Sequence, residues 1–142
     1  MRILVDTNTL FSAVITEGNE KQLLEKTVHG LHLIVVTDLI VEELERLFPR
    51  KLSGERAKRA EKVFATLLES KFTYMKERSQ YIHLLQKAAS LINQKDAPIL
   101  AASLQDEIDA LVTGDRDFLE NPKLRRLRRK KIFTTRELLS RL

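Results

Sequence analysis

The stretch DALVTGDRDF, residues 109–118, sets a short apolar run against Thr113 and Gly114, then two acids, Asp115 and Asp117, one residue apart. An apolar run of this length bounded by turn residues predicts a buried strand. The same arrangement stands at the amino terminus, where RILVD (2–6) ends on Asp6 and leads into Thr7 and Asn8, residues suited to a turn or a helix start. LHLIVV (31–36) and KKIFTT (130–135) read as further buried strands, and KFTYM (71–75) as a shorter one. Helical patterns fill the intervals. NEKQLLEKTVHG (19–30) has Gly30 placed to stop it, and TDLIVEELERLF (37–48) has Thr37 or Asp38 as cap and Pro49 to end it. Residues 54–70 and 79–94 carry helical periodicity, DAPILAASLQDE (96–107) has Pro98 in its first turn, and TRELLSRL (135–142) closes the chain. Strands alternating with helices predict an α/β fold with a mainly parallel sheet. Ligands of such sheets bind outside the carboxyl ends of the strands, where the strand order reverses. Asp6 and Asp115 each stand at such an end.

With 142 residues, 43% apolar and 32% charged, the chain has the balance of one globular domain, 1–142, with a sizeable core. No apolar stretch approaches the ~18 residues of a membrane span. The opening MRILVDTN lacks the form of a signal peptide, so a cytoplasmic location without a membrane partner is expected. The absence of cysteine removes disulfides, thiol catalysis and thiolate metal sites. The net charge of +5 is uneven. Lys123, Arg125, Arg126, Arg128, Arg129, Lys130 and Lys131 fall in one acid-free run, 122–131, and removing these seven charges leaves the rest at −2. Such a run reads either as a polyanion contact or as a solvated loop.

Two further acids stand at unexpected places. Stepping about 100° per residue from Leu39, the apolar residues of 39–48 span an arc of about 200°. Glu43 falls at about 40°, inside it, while Glu42 and Glu45 fall at about 300° and 240°, outside. A carboxylate on an apolar face reaches water or a lysine at the edge of the stripe, or it pairs or coordinates a cation. Asp96 shares a helix face with Ile99, Leu100 and Ser103, yet an Asp just before a proline-bearing first turn is also an ordinary N-cap.

Each acid has a structural account of its own. Together, Asp6, Glu43, Asp96, Asp115 and Asp117 gathered at one place would repel one another and take up protons unless a divalent cation neutralised them. With no His or Cys set, the donor chemistry favours Mg²⁺ or Mn²⁺. His29, His32 and His83 have no acid partners at ligand spacing and read as structural.

These residues resemble a PIN domain, the small metal-dependent nuclease fold of VapC-type toxins, over essentially the whole chain. VDTNTLFSAV resembles the opening motif, with Asp6 as a metal ligand and Asn8 supporting the site. VTDLIVEELERL resembles the second motif, with its acid at Glu43. KDAPILAAS resembles the third, with Asp96 as ligand, and LVTGDRDF the fourth, with Thr113 supporting and Asp115 and Asp117 acidic. KIFTTRELL looks like the closing strand and helix. Each motif alone is short; four in this order and spacing are specific. The run 123–131 is denser in positive charge than the resemblance leads one to expect.

The resemblance implies a three-layer sandwich with a five-stranded parallel sheet in the order 3-2-1-4-5, which sets Asp6 beside Asp115. It implies Mg²⁺- or Mn²⁺-dependent cleavage of RNA to a 5′-phosphate and a 3′-hydroxyl. It also implies a homodimer and a small antitoxin partner. Asp6, Asp96, Asp115 and Asp117 would hold the metal, with Glu43 as a ligand or a proton acceptor. Arg116 and the cations of 123–131 would hold flanking phosphates. The surplus apolar residues of 54–94 would serve the dimer or an antitoxin helix. A flap- or repair-type DNA nuclease and a non-catalytic nucleic-acid-binding module are the rival readings. A dehalogenase-type phosphoryl-transfer fold would need Asp-x-Asp where Asp6-Thr7-Asn8 stands, and a dinucleotide fold would need a Gly-rich first turn.

Overall fold

The computed structural model describes residues 1–142. Strand β1 (Arg2–Val5) is followed by helices α1 (Thr7–Ile15) and α2 (Asn19–His29), then β2 (Leu33–Thr37), α3 (Asp38–Lys51), α4 (Gly54–Glu69) and β3 (Thr73–Lys76). Short helices α5 (Arg78–Tyr81) and α6 (Leu85–Ala89) lead to α7 (Ala97–Ser103) and β4 (Ala110–Val112). Helices α8 (Arg116–Leu119) and α9 (Arg125–Lys130), then β5 (Ile132–Phe133) and α10 (Thr135–Leu139), complete the chain. All pairings are parallel and the sheet order is β3-β2-β1-β4-β5.

The winding explains the layers. The chain moves outward from β1 through β2 to β3, then returns to β4 and β5 on the other side of β1. Right-handed crossovers put the helices of these two journeys on opposite faces of the sheet. Helices α1 to α4 and α10 pack among themselves, as do α5 to α7. Strands β1, β2 and β4 are buried along almost their whole length, as their continuous apolar runs require, whereas Tyr74 and Met75 of the edge strand β3 are exposed. The reversal lies between β1 and β4, where Val5 pairs with Val112. The residues just beyond these strand ends include the acids and their support: Asp6 directly follows β1, and Thr113 and Asp115 are the first and third residues after β4. No helix is long and apolar enough to cross a membrane.

Four local expectations change. Helix α3 runs through Pro49 to Lys51; the bond the proline cannot make would have gone to the carbonyl of Glu45, a residue on the exposed face of the helix. The helix expected over 79–94 is broken into α5, a 3₁₀ turn at Ile82–Leu84, and α6. Tyr81 is thereby buried with its hydroxyl donating to Asp38 Oδ1 at 2.6 Å. Helix α7 stops at Ser103. At the end of α2, Gly30 is not the left-handed residue. The amides of Leu31 and His32 return to Val28 and Thr27, a Schellman closure, and Leu31 takes the left-handed position with φ 60°.

Candidate metal-binding cleft

Asp6 is the last residue before α1 and caps it, its Oδ1 accepting from the Thr9 amide at 2.8 Å. Its Oδ2 accepts from the Thr113 hydroxyl, and its own amide donates to the Val112 carbonyl at 3.2 Å. The Thr113 hydroxyl oxygen in turn accepts from the Asp115 amide at 3.1 Å. One buried threonine therefore ties the ends of β1 and β4 together and orients an acid on each. Asp115 Oδ1 accepts from the Asp117 amide at 2.9 Å and caps α8. Both structural roles foreseen for these acids, cap and turn, are real; both Asp6 oxygens are engaged, whereas Asp115 keeps its Oδ2 without a hydrogen-bond donor.

Asp96 behaves otherwise. It holds the N-cap position of α7, but its carboxylate makes no capping bond. Asn93 performs that turn: its Oδ1 accepts from the Asp96 amide at 3.0 Å, while its Nδ2 donates to Asp96 Oδ2 at 2.8 Å and to Asp117 Oδ2 at 3.3 Å. One carboxylate oxygen each from Asp96, Asp115 and Asp117 lie within 4.8 Å of one another, a spacing that could hold a metal ion. Burial pushes the Asp96 carboxyl above its usual range, and the charges of Asp115 and Asp117 add to the effect, opposed by the Asn93 amide and Lys95. Burial likewise raises Asp6, with Asp115 adding and the Thr113 and Thr9 bonds opposing. The three histidines lie outside this cluster.

The acids face a cleft of about 390 Å³, lined among others by Asp6, Asn8, Glu43, Asp96 and Asp115. Glu43 is exposed and reaches the cleft from α3, where its Oε2 accepts from the Thr7 hydroxyl at 2.7 Å. The buried stripe of α3 is Ile40, Leu44 and Phe48, and the part of the apolar arc holding Glu43, with Leu39 and Leu47, borders the cleft. Glu43 stands apart from the Asp96, Asp115 and Asp117 group, as does Asp6, which is joined to it through Thr113. Asp117 faces a second depression of about 340 Å³, shared with Asn93, Arg116 and Asn121.

The basic run lies elsewhere. None of its seven cations lines the main cleft. The Arg128 guanidinium makes a two-pronged pair with Glu137, at 2.8 and 3.2 Å, and donates to the Ile132 carbonyl at 2.7 Å. The Lys131 ammonium donates to the Gln105 carbonyl at 2.9 Å, and burial lowers its pKa against the neighbouring charges of Asp106, Asp109 and Glu107. Lys123 reaches the Ser90 carbonyl at 3.4 Å. Arg125, Arg126, Arg129 and Lys130 remain exposed. Sequence reading missed Asn93, Thr7 and the cleft cations Arg46, Arg50 and Lys95. The one local signal was Asn93 three residues before Asp96, a spacing at which an Asn side chain can accept from the backbone amide.

Known proteins bear on this geometry. No curated protein matches the chain by sequence. A solved structure of similar fold, the crystal structure of VapBC2 from Rickettsia felis bound to a DNA fragment from their promoter, aligns over 94% of this chain and 98% of that chain. The two superpose with a TM-score of 0.62 at 14% identity, a likeness of fold. The family model for the PIN domain matches residues 4–132, which spans Asp6, Glu43, Asp96, Asp115 and Asp117. With its sheet order, its reversal point and its sequence in agreement, the chain belongs to the PIN domain family.

Proposed function

We propose that this protein is a divalent-cation-dependent endoribonuclease, the toxin of a toxin–antitoxin pair. The observation that carries the reading is the convergence of Asp96, Asp115 and Asp117 oxygens within 4.8 Å beside the cleft; PIN domains are generally nucleases, and the likeness to VapBC2 supports the toxin role. The donor set is wholly carboxylate oxygen, which suits Mg²⁺ or Mn²⁺. Asp96, Asp115 and Asp117 would hold the ion, with Asp6 adding its charge through the Thr113 link. Such an ion supplies Lewis acidity at the scissile phosphate and a more acidic water.

The chain's own residues do the rest. Thr113 and Asn93 fix the acids before substrate arrives, so no reorganisation is spent in the transition state. Glu43, oriented by Thr7, is a further ligand or the group that takes the proton of the attacking water. Attack forms a bond from that oxygen to phosphorus as the bond to the 3′ oxygen breaks, and the 3′ oxygen leaves as a hydroxyl once protonated. The products are a 5′-phosphate and a 3′-hydroxyl. Asn8, on the first turn of α1, supports the cleft beside Asp6. The working unit would be a cytoplasmic homodimer, checked by a small antitoxin.

The test is Asp115→Asn assayed with Mg²⁺ and with Mn²⁺ on single-stranded RNA. Loss of cleavage is expected; full activity overturns the carboxylate-site reading. Matched RNA and DNA in competition separate the ribonuclease from the DNA-nuclease alternative. Calorimetry with no Mn²⁺ heat favours the non-catalytic module.

A further inference from the structure

We propose that Arg46 and Arg50 of α3, with Lys95, form the phosphate-holding wall of the cleft and position single-stranded RNA across the acids. This assignment rests on the nuclease reading and deepens it. An acidic cluster repels the polyanion it must cut, so a working site needs cations at close range to offset that repulsion. The basic run does not face the cleft: none of its seven cations lines it, and Lys123, Arg128 and Lys131 have internal partners. Arg46, Arg50 and Lys95 do line it, with Asp6, Glu43, Asp96 and Asp115.

Their placement follows from the helix. Glu43, Arg46 and Arg50 stand at i, i+3 and i+7, which is one face of α3. That face carries the acid nearest the amino end and two guanidinium groups beyond it. Lys95 comes from the turn before α7, next to Asp96. Arg50 and Lys95 have no carboxylate within ion-pair distance, and Arg46 has one contact, 3.6 Å to Glu42, between two exposed side chains. A contact of that kind is weak and exchanges readily. The guanidinium fork matches a phosphate in two-pronged fashion, and Leu39, Leu47, Pro98 and Ile99 offer apolar surface between the cations for ribose and base faces.

The experiment measures binding of a fluorescein-labelled oligouridylate by anisotropy across a salt series, in an Asp115→Asn background that silences cleavage. Each single-strand phosphate neutralised contributes about 0.7 to the salt slope, so Arg46→Gln with Arg50→Gln should flatten it by about 1.4, and Lys95→Gln by about 0.7 more. Affinity at fixed salt should fall roughly tenfold or more, since these are charge-assisted contacts. Arg125→Gln, Arg126→Gln and Arg129→Gln together should leave slope and affinity within about twofold of the parent. All of these side chains are exposed, so unchanged melting temperatures should accompany the losses. If the parent binds and the cleft pair binds equally well with the same slope, or the α9 variant carries the loss, this assignment is overturned alone. If the parent binds no RNA, the nuclease reading falls and takes the assignment with it.

Discussion

Thr113→Val tests the link between the two strand ends. Valine keeps the shape of threonine, and the site is fully buried, with Thr113 at 0% and Asp6 at 8% exposure. The substitution removes the hydrogen bond that Thr113 donates to a buried carboxylate, a charge-assisted bond worth about 1.5–3 kcal/mol, and leaves the Asp115 amide without its acceptor, about 1 kcal/mol more. The expected loss is about 3 kcal/mol. At about 2.1 cal/mol/K per residue over 142 residues, this lowers the melting temperature by about 10 °C. The assay is a circular-dichroism melt at neutral pH in chelator, repeated for Thr113→Ser, which keeps the hydroxyl and should lose far less. Because burial holds Asp6 above the usual carboxylate range, the gap between Thr113→Val and the parent should narrow as pH falls through that raised value and the carboxylate becomes neutral. A melt within about 3 °C of the parent, or a serine variant as damaged as the valine one, refutes the reasoning.

Asp96→Asn keeps an acceptor for Asn93 while removing a charge that burial and two neighbouring acids disfavour, so the metal-free variant should melt higher than the parent at neutral pH. The folded pKa of Asp96 is raised, so the cost of its charge is present above that value and relieved as pH falls through it; the parent's advantage from mild acid should shrink in the variant, and an unchanged or lower neutral melt counts against this account. Glu137, paired with Arg128, is held at a pKa of about 2, below its ordinary value. Its stabilisation is therefore present above about pH 4.5 and lost as pH falls toward about 2. Glu137→Gln should cost about 1 kcal/mol at neutral pH, allowing for the screening of a half-exposed pair, and nothing near pH 2; equal acid limbs in urea titrations would argue against the pair. Leu31 is 78% exposed with φ 60°, so Leu31→Gly should stabilise the protein by about 1 kcal/mol, seen as a rise of about 3 °C. Gly30→Ala should destabilise it, since an added Cβ would lie 2.9 Å from the His32 ring.

Much of this architecture was legible along the chain. The apolar runs of β1, β2 and β4 and the helical periods between them are local patterns set by side-chain hydrophobicity and spacing, and they announced a parallel α/β sheet directly. Asp6 and Asp115 could be placed because the carboxyl ends of such strands are where sites lie, and Glu43 because its position on a helix is a matter of counting. Pairwise meeting in space was not legible. That Thr113 bonds Asp6 across 107 positions, that Asn93 bridges Asp96 to Asp117, and that Thr7 holds Glu43 all depend on contacts between separate elements. The positive run shows the same limit: charge density is visible in a sequence, but the internal partners that take up Arg128 and Lys131 are not. At Gly30 and Leu31 the offset is a single residue, and the hydrogen bonds that close α2 decided which of the two turned left-handed. The sequence by itself determined the elements, the sheet type and the acids worth watching, because these follow from short-range periodicity. Only the tertiary structure decided which acids converge, which side chains hold them and which cations face the cleft, because those depend on where the crossovers bring distant residues together.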